Sequence, residues 1–234
     1  MQKGIPTAFN PALTHHLYLI RRGLLKAFKK LAPQLQGKLM DLGCGLKPYR
    51  SLFNVDEYIG VEYHGDGPTY DKGLADVFYD GHTLPFHDAC FDSVFSSEVF
   101  EHIFNLPEIL PELNRVLKPG GKILVSCPFA LGEHEAPADF ARYTSFAMRH
   151  LLESNGFEVI DLVKTGSYVE AVMQLRMVYW DLYLLKPIKR IPVVRSVIRK
   201  TVFAAGNTWA MFLNALLPHS NELYMNNVVL AKKK

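Results

Sequence analysis

The chain has 234 residues, of which 49% are hydrophobic and 21% charged, a composition typical of a folded globular protein that excludes disordered and fibrous classes. Its three cysteines lack CxxC spacing, which speaks against a disulfide framework or a cysteine-based zinc site and favours a reducing, cytoplasmic location. The net charge of +3 is uneven: residues 1–38 hold seven basic and no acidic side chains, residues 39–170 nine and 21, and residues 171–234 ten and two. The acidic middle argues against nucleic-acid binding, whereas the basic flanks suggest attraction to anionic surfaces.

The first predicted element is a basic amphipathic helix. Between residues 13 and 31, large apolar residues recur every three or four positions, and the basic residues lie largely off that stripe. Arg21 and Arg22 interrupt it, so we expect no signal peptide. Since no apolar run reaches the roughly 18 residues of a spanning helix, we expect no such helix either. We assign residues 1–37 to this N-terminal segment.

Short apolar runs that end in glycine or aspartate come next, and they predict strands. The predicted strands are residues 38–42, 58–61, 75–79, 91–96, 122–127 and 157–163, with helix-length stretches between them at 47–53, 106–117 and 145–154. Alternating strands and helices predict an α/β fold with a doubly wound, mostly parallel sheet that is covered on both faces.

The pattern changes after residue 168. Helical periodicity predicts helices at 169–185, 193–203 and 207–217, cut by Pro187, Pro192 and Pro218, before a last strand-like run at 223–231. We therefore predict a core of residues 38–168 and 222–234, with a helical insertion at 169–221 before the closing strand.

A glycine-rich turn follows the first predicted strand. Gly43 and Gly45 allow the backbone to approach a ligand closely, at the carboxyl edge where open α/β sheets bind ligands. Pro48 stands where a dinucleotide fingerprint needs a third glycine, and no Gly-Lys-Ser/Thr follows. Both observations argue against a nicotinamide dinucleotide site and a P-loop.

Acidic residues stand at the ends of the next two predicted strands. Glu62 ends the second strand, where a carboxylate is placed to accept both hydroxyls of a ribose. Asp80 closes the third strand region, just before apolar residues, and is placed to accept the exocyclic amine of an adenine. Together these residues predict a nucleoside-type cofactor site.

Six segments, in order, resemble the motifs of the class I S-adenosylmethionine-dependent methyltransferases, type 11 group. They are DLGCG at 41–45, Glu62, DGHTLPF at 80–86, FDSV at 91–94, SEVFEH at 97–102 and LNRVLKPGG at 113–121, within about residues 38–163. The resemblance implies a Rossmann-like methyltransferase fold. Its seven-stranded sheet would have an antiparallel last strand, residues 223–231, between the strands that contain Val125 and Val159.

The resemblance also implies S-adenosylmethionine (SAM) as the cofactor and assigns residues to it. Asp41, Gly43 and Gly45 would face its methionine and ribose part, Glu62 would bind the ribose hydroxyls, and Asp80 would meet the adenine. Cys44, Gly81 and Ser97 belong to the same motifs and complete the predicted cofactor site.

Methyl transfer from a sulfonium needs mainly in-line alignment of the acceptor, which is worth about 7–11 kcal/mol in favourable cases. Residues 126–144 are dense in histidine, acids, arginine and tyrosine, and lie where the family usually binds its acceptor. We predict His134 as a general base for a hydroxyl and Asp139, Arg142 and Tyr143 as acceptor-binding residues. In a structural alternative, Asp139 pairs with Arg142 and Thr144 caps the next helix.

A metal-assisted methyltransferase is an alternative. Glu98, Glu101 and His102 would share one helical face at i, i+3 and i+4 and, with His134, would hold a divalent metal. Because many type 11 enzymes have the same letters without a metal, the main prediction contains none.

The insertion interleaves aromatic and basic residues, which is typical of a helix at an anionic membrane surface, although a lid or a homodimer contact would use the same residues. The overall prediction is a cytoplasmic methyltransferase, in peripheral contact with the inner face of the membrane if the insertion binds lipid. Its acceptor would be a small molecule or a lipid- or glycan-linked group, methylated at oxygen. A non-catalytic cofactor-binding module that recruits a partner or a membrane is a further alternative.

Overall fold

The computed structural model describes residues 4–64, 74–186 and 192–234, and its core is one seven-stranded sheet. The strands are β1 (Lys38–Leu42), β2 (Glu57–Tyr63), β3 (Val77–Tyr79), β4 (Phe91–Ser97), β5 (Leu117–Pro128), β6 (Phe157–Thr165) and β7 (Asn226–Lys233). Their order is β3-β2-β1-β4-β5-β7-β6, and only β7 runs antiparallel to its neighbours. The predicted doubly wound sheet, with its last strand between β5 and β6, is confirmed.

Among the described residues, five α-helices cover the two faces of the sheet. They are α1 (Tyr18–Leu31), α2 (Leu106–Val116), α3 (Ser145–Ser154), α4 (Tyr168–Tyr179) and α5 (Pro192–Leu216). One hydrophobic cluster joins the sheet to α1, α4 and α5, and the other joins it to α2 and α3. Consecutive strand residues such as Val228 and Val229 enter different clusters, because side chains alternate across a strand.

Helix α1 anchors the N-terminal segment to the sheet. The ring of Phe28 is fully buried, with its centroid 4.8 Å from that of Tyr49 and 5.2 Å from that of Phe95. Lys29 and Lys30 lie in the last turn, where the negative end of the helix dipole favours cations. The predicted helix is present from Tyr18 onward, and residues 13–17 form turns instead.

Two predicted helix assignments are wrong. Residues 47–53 contain only a short 3₁₀ turn, Arg50–Leu52, since Lys47 takes a positive φ of 50° that is incompatible with a helix. The two helices predicted at 193–203 and 207–217 are one continuous helix, α5. Gly206 does not break it but lies against Met177 of α4, where a Cβ would come within 2.5 Å of the Met177 Cε.

Helices α4 and α5 pack on the N-terminal segment. The buried Gln174 side chain donates to the His16 carbonyl (2.7 Å), and the buried Asn207 side chain donates to the Leu13 carbonyl (2.7 Å). A π-helical turn, Trp180–Leu184, continues α4. In the described parts of the chain, every helix is too short or not apolar enough to cross a lipid bilayer. The predicted domain boundaries, including the insertion at 169–221, stay predictions.

Candidate cofactor and acceptor site

The two glycines in the turn after β1 have different surroundings. Gly43 has a φ of +69°, and a Cβ there would lie 2.3 Å from the Val99 Cγ2 atom, so no side chain fits. Gly45 has a φ of +45°, but a Cβ there would meet no atom within 4 Å in the part of the chain that is described. The turn is therefore closely packed at Gly43 and open at Gly45, which leaves space for a ligand beside the backbone.

Glu62 lies directly across this turn. Its Oε2 atom accepts a hydrogen bond from the Gly45 backbone N–H at 2.9 Å, and Oε1 accepts from the Tyr63 N–H at 3.2 Å. The carboxylate is thus held at the tip of β2 beside the open side of the glycine turn. The structure brings these two predicted cofactor elements together, and the role of Glu62 toward a ribose stays a prediction.

Asp41 is buried under the same turn. It is only 3% exposed, and the Tyr58 hydroxyl donates to its Oδ2 atom. Burial raises the pKa of Asp41 to about 7, although the Tyr58 hydrogen bond opposes this shift. Burial likewise raises the pKa of the Cys44 thiol to about 12, so Cys44 is a small packing residue rather than a reactive one. Sequence analysis did not identify Tyr58, because a strand tyrosine carries no local signal of its partner.

The remaining predicted cofactor residues also lie at the carboxyl edge of the sheet. The Asp80 Oδ1 atom accepts the N–H groups of His82 and Thr83, both at 2.8 Å, and these bonds lower the pKa of Asp80. Gly81 follows it, and the Ser97 hydroxyl at the end of β4 lies 3.3 Å from the Ser126 hydroxyl. The contacts of these residues with a cofactor stay predictions.

Arg142 and Asp139 hold the loop after β5 together. The guanidinium donates to both Asp139 oxygens (2.6 Å each) and to the carbonyls of Leu131, Gly132 and Ala141. These bonds hold the pKa of Asp139 far below its usual range. All five guanidinium N–H groups therefore have acceptors in the chain, and binding of an anion by Arg142 would require breaking one of these bonds.

These contacts match the structural alternative for this segment. The Asp139–Arg142 pair is present, and the Thr144 hydroxyl caps α3 by accepting the Ala147 N–H at 3.1 Å. Tyr143 is half-buried, and its carbonyl accepts from the Asn227 side chain at 2.7 Å. Acceptor binding by Asp139, Arg142 and Tyr143 stays a prediction.

A buried carboxylate and two imidazoles lie together beyond β4, on the 3₁₀ turn Phe100–His102 and the following loop. Glu101 is fully buried, and neither carboxylate oxygen has a hydrogen-bond partner within the described residues. Its Oε1 atom lies 3.8 Å from the His102 Nε2 and 4.0 Å from the His134 Nε2. Burial, with Glu98 as a nearby negative charge, raises the pKa of Glu101 well above its usual range. We call Glu101, His102 and His134 the Glu101 pocket.

The hydrogen bonds of the two histidines define their tautomers. His102 Nδ1 contacts the Ala138 carbonyl oxygen, which only accepts, so this nitrogen carries the proton. His134 Nδ1 lies 3.3 Å from Asp139 Oδ2, 3.4 Å from the Gly132 carbonyl and 3.3 Å from a terminal nitrogen of Arg142, which only donates. Because both protons of that Arg142 nitrogen already have Asp139 and Gly132 as acceptors, we assign a proton to His134 Nδ1 as well. Burial lowers the pKa of His134, which favours the neutral ring. Both Nε2 lone pairs therefore remain as acceptors in the Glu101 pocket.

The prediction that Glu98 shares a helical face with Glu101 and His102 is wrong. The helical turn spans only Phe100–His102, and Glu98 has a φ of +56°, which turns its side chain away. The Glu98 carboxylate instead accepts from the Ser126 hydroxyl and the Asn226 amide, both at 2.7 Å. Sequence analysis also did not associate Glu135 with this pocket, although its Oε2 lies 3.8 Å from the His102 Nε2.

Comparison with known proteins places this site in a family. Residues 40–125 match the family model described as a methyltransferase domain, a region that includes Gly43, Glu62 and Glu101 and ends before His134. A Mycolicibacterium smegmatis protein named "Probable S-adenosylmethionine-dependent methyltransferase" is 29% identical over 165 residues, 64% of this chain and 63% of that protein. The chain spans less than two thirds of the length of the curated relatives it matches.

Solved structures show the same fold at low identity. An S-adenosylmethionine-dependent methyltransferase from Mesorhizobium loti superposes with a TM-score of 0.55 at 13% identity, covering 96% of this chain and 100% of that one. The cyclase SpnF superposes with a TM-score of 0.54 at 16% identity, covering 92% and 82%. Because a cyclase shares the fold, these likenesses establish architecture alone. The family match over residues 40–125 and the named relative, rather than these structures, indicate a methyltransferase domain whose methyl donor is S-adenosylmethionine.

Proposed function

We propose that this chain transfers the methyl group of SAM to an acceptor that binds at the Glu101 pocket. The observation that carries the proposal is the space beside Gly45 that the described residues leave open, bordered by the Glu62 carboxylate. A Cβ at Gly45 would extend into that space, so the chain leaves room where a nucleoside would lie against its backbone. When bound, SAM supplies a methyl group that its positive sulfonium already activates.

The residues present fit that cofactor. Glu62 offers carboxylate oxygens to the ribose hydroxyls, and Asp80, one of whose oxygens already closes its own loop, offers the other to the adenine amine. Asp41 is buried beneath the glycine turn. All three stand at the carboxyl ends of neighbouring parallel strands, where open α/β sheets bind nucleotides.

The acceptor proposal rests on the polarity of the Glu101 pocket. This pocket follows β4, whose end lies beside the glycine turn, since β4 pairs with β1. A hydroxyl oxygen bound there would donate its proton to the His134 Nε2 atom, while Asp139 orients the ring through Nδ1. We therefore propose methylation at oxygen, with alignment as the main source of rate and His134 as the base.

Calorimetry with the full chain tests cofactor binding. Glu62→Gln removes the charge but keeps the shape, and we expect SAM affinity to fall about 10- to 150-fold, as for hydrogen bonds to a charged group. Glu57→Gln is the matched control, since exposed Glu57 stands at the other end of β2 and pairs with half-buried Lys38 at 3.0 Å. Absence of SAM binding by the wild-type chain, or equal effects of both variants, would overturn the proposal.

Transfer itself needs a direct product assay. Purified protein and methyl-labelled SAM are incubated with a host extract, and mass spectrometry identifies the labelled product and the methylated atom. A labelled oxygen supports the proposal, and a labelled nitrogen or carbon overturns the assignment to oxygen. SAM binding without S-adenosylhomocysteine formation in any extract would instead favour a non-catalytic cofactor-binding module.

We propose further that the helical insertion binds an anionic lipid surface and so presents the enzyme to a lipid-linked acceptor. Both insertion helices carry exposed apolar residues at helical spacing. On α4 and its π turn they are Tyr168, Val172, Leu175, Tyr179 and Leu182, and on α5 they are Val194, Val197, Trp209, Phe212 and Leu216. Apolar faces with aromatic residues are typical of helices that lie in a membrane interface.

The distribution of charged residues on α4 and α5 supports an anionic lipid surface as the partner of their apolar faces. The only acids in 168–186 and 192–216 are Glu170 and Asp181, whose side chains are 14% and 12% exposed. Asp181 is neutralised by Arg199 at 2.7 Å, whereas the exposed charges of the helices include Arg176 and Lys200. The outer surface of the insertion is thus apolar and cationic, which complements anionic head groups.

Vesicle flotation tests this contact. We expect the full chain to float with phosphatidylglycerol-containing vesicles but not with phosphatidylcholine alone, and Trp209→Ser with Phe212→Ser to lower binding at least about tenfold. Phe146→Ser is the matched control, because Phe146 on α3 is 81% exposed. Equal flotation of the double variant, or a stable dimer that buries these residues and does not float, would overturn the lipid proposal.

A further inference from the structure

We propose that the Glu101 pocket is a binding site for a divalent transition-metal cation, with Glu101, His102 and His134 as its three protein ligands. This inference deepens the proposed function, on which its catalytic role rests, because the same pocket would receive the acceptor. Cation binding itself is independent of methyl transfer and is tested separately below.

The donor atoms are close to the spacing that one cation requires. One ligand atom from each residue lies within 4.8 Å of the others, and the carboxylate oxygen is 3.8 and 4.0 Å from the two Nε2 atoms. Ligands at about 2.1 Å from a tetrahedral ion are separated by about 3.4 Å. The ligand atoms would therefore have to approach one another by about 0.4 to 1.4 Å, which small side-chain rotations would provide.

Both imidazoles are already oriented as ligands. His102 donates from Nδ1 to the Ala138 carbonyl, and His134 from Nδ1 to the side of the loop that holds Asp139. Such outer hydrogen bonds are the usual partners of metal-binding histidines, because they fix the ring and leave the Nε2 lone pair for the ion. Asp139 is itself held by Arg142 through two bonds of 2.6 Å, so this support is rigid.

Within the described residues, no cationic side chain donates a hydrogen bond to the Glu101 carboxyl group. Two lone pairs and a fully buried carboxyl group face one another, yet none is close enough to share a hydrogen bond within the described residues. The nearest guanidinium, Arg142, already donates all five of its N–H groups to the loop. Burial of a carboxyl group without partners is costly, and a cation would satisfy all three ligands at once.

The ligand set defines the class of cation. Two imidazoles and one carboxylate suit Zn²⁺, Co²⁺, Ni²⁺ or Fe²⁺, whereas Mg²⁺ and Ca²⁺ prefer oxygen ligands. Three protein ligands also leave a coordination position for an oxygen of the acceptor, as in catalytic rather than structural zinc sites.

The cation would change how the acceptor loses its proton. Held by Glu101, His102 and His134, the cation would lower the pKa of an acceptor hydroxyl, so the proton would pass to water and His134 would serve as a ligand instead of a base. The oxygen electron pair then forms the bond to the methyl carbon, and the electrons of the broken carbon–sulfur bond return to sulfur, which yields neutral S-adenosylhomocysteine. Charge and atoms balance without another reactant.

A Co²⁺ titration of the metal-stripped, tag-free full chain tests the site, because its visible absorption reports ligation directly. We expect one tight equivalent, displaced by Zn²⁺, and at least about 100-fold weaker binding in Glu101→Gln and in His102→Gln, more than the loss of an outer hydrogen bond causes. His150→Gln is the matched control, since His150 is an exposed histidine on α3, and its affinity should equal that of the wild type. Equal Co²⁺ affinity of wild type and His102→Gln would overturn the proposal.

Two further measurements keep this test decisive. X-ray absorption of the Zn²⁺-loaded wild type needs no variant, and a spectrum without two imidazole ligands would also overturn the site. SAM calorimetry on the same samples separates the two proposals. Intact SAM binding without a cation site removes only this inference, whereas tight Co²⁺ binding without SAM binding removes the proposed methyltransferase function and leaves the cation site in place.

Discussion

Asp41→Asn should make the stability of the protein less dependent on pH. Asp41 is 3% exposed, and burial raises its pKa from the ordinary value of 3.8 to about 7. The folded chain therefore keeps a proton on Asp41 at pH values where the unfolded chain has lost it. The stability that this proton provides is fully present below about pH 4 and is lost as the pH rises through 7.

The size of the effect follows from the same values. Each pKa unit corresponds to about 1.4 kcal/mol, so a change from 3.8 to about 7 amounts to roughly 4 kcal/mol. Asparagine is neutral at all these pH values and can still accept the Tyr58 hydrogen bond through its carbonyl oxygen. The free energy of unfolding of Asp41→Asn, relative to wild type, should therefore rise by up to roughly 4 kcal/mol between pH 4 and pH 8.

Urea unfolding followed by circular dichroism, at several pH values without SAM, measures this difference. Subtracting the wild-type curve removes the titration of all other groups, and a constant offset reports the altered hydrogen bonding of the amide. A difference that stays constant within about 1 kcal/mol across the range would refute the argument that Asp41 is protonated in the folded state.

Three other predictions concern single elements. Gly43→Ala should lower the free energy of unfolding by about 2–5 kcal/mol, because φ is positive at this position and a Cβ would overlap Val99. Gly45→Ala should lower it by about 1–2 kcal/mol but should weaken SAM binding at least about tenfold. Urea unfolding measures the effects on stability, and calorimetry measures the effect on SAM binding. Phe28→Ala should cost about 3–5 kcal/mol in thermal or urea unfolding, since the ring is fully buried. Ser167→Ala should cost about 1 kcal/mol by removing the capping box of α4, and an unchanged melting temperature would contradict that role.

Sequence analysis predicted the sheet well because its strands are short, apolar and separated by turn residues. The run at 38–42 coincides with β1, and the run at 223–231 overlaps β7. The helix assigned to 47–53 failed because the backbone at Lys47, with its positive φ, follows the glycine turn instead of starting a helix. The two helices predicted at 193–203 and 207–217 are joined, and Gly206 between them packs on Met177 within the continuous α5.

The candidate site was predictable only where residues follow strand ends. Glu62 lies next to Gly45 because the carboxyl ends of the neighbouring parallel strands β1 and β2 share one edge of the sheet. The strand order is therefore enough to predict that these two residues are close. The different surroundings of the Glu98 and Glu101 side chains were not predictable, because they depend on the positive φ of Glu98, the residue that follows β4. The hydrogen bonds of Arg142 likewise depend on the path of a loop, for which a sequence pattern carries no periodic signal.

Glu98 and Glu101 provide a last test, because the same substitution should have different consequences at the two positions. Both side chains are carboxylates at the end of β4, but Glu98 accepts two hydrogen bonds of 2.7 Å whereas Glu101 accepts none within the described residues. Glu98→Ala removes the acceptor of the Ser126 hydroxyl and of the Asn226 amide and should cost about 2–4 kcal/mol in urea unfolding of the metal-free chain. Glu101→Ala removes a buried group that has no hydrogen-bond partner within the described residues and should cost less than about 1 kcal/mol. Equal destabilisation by the two variants would mean that Glu101 contributes to the fold like its neighbour. A small cost at Glu101 is instead what we expect of a side chain that the fold tolerates for the sake of a ligand.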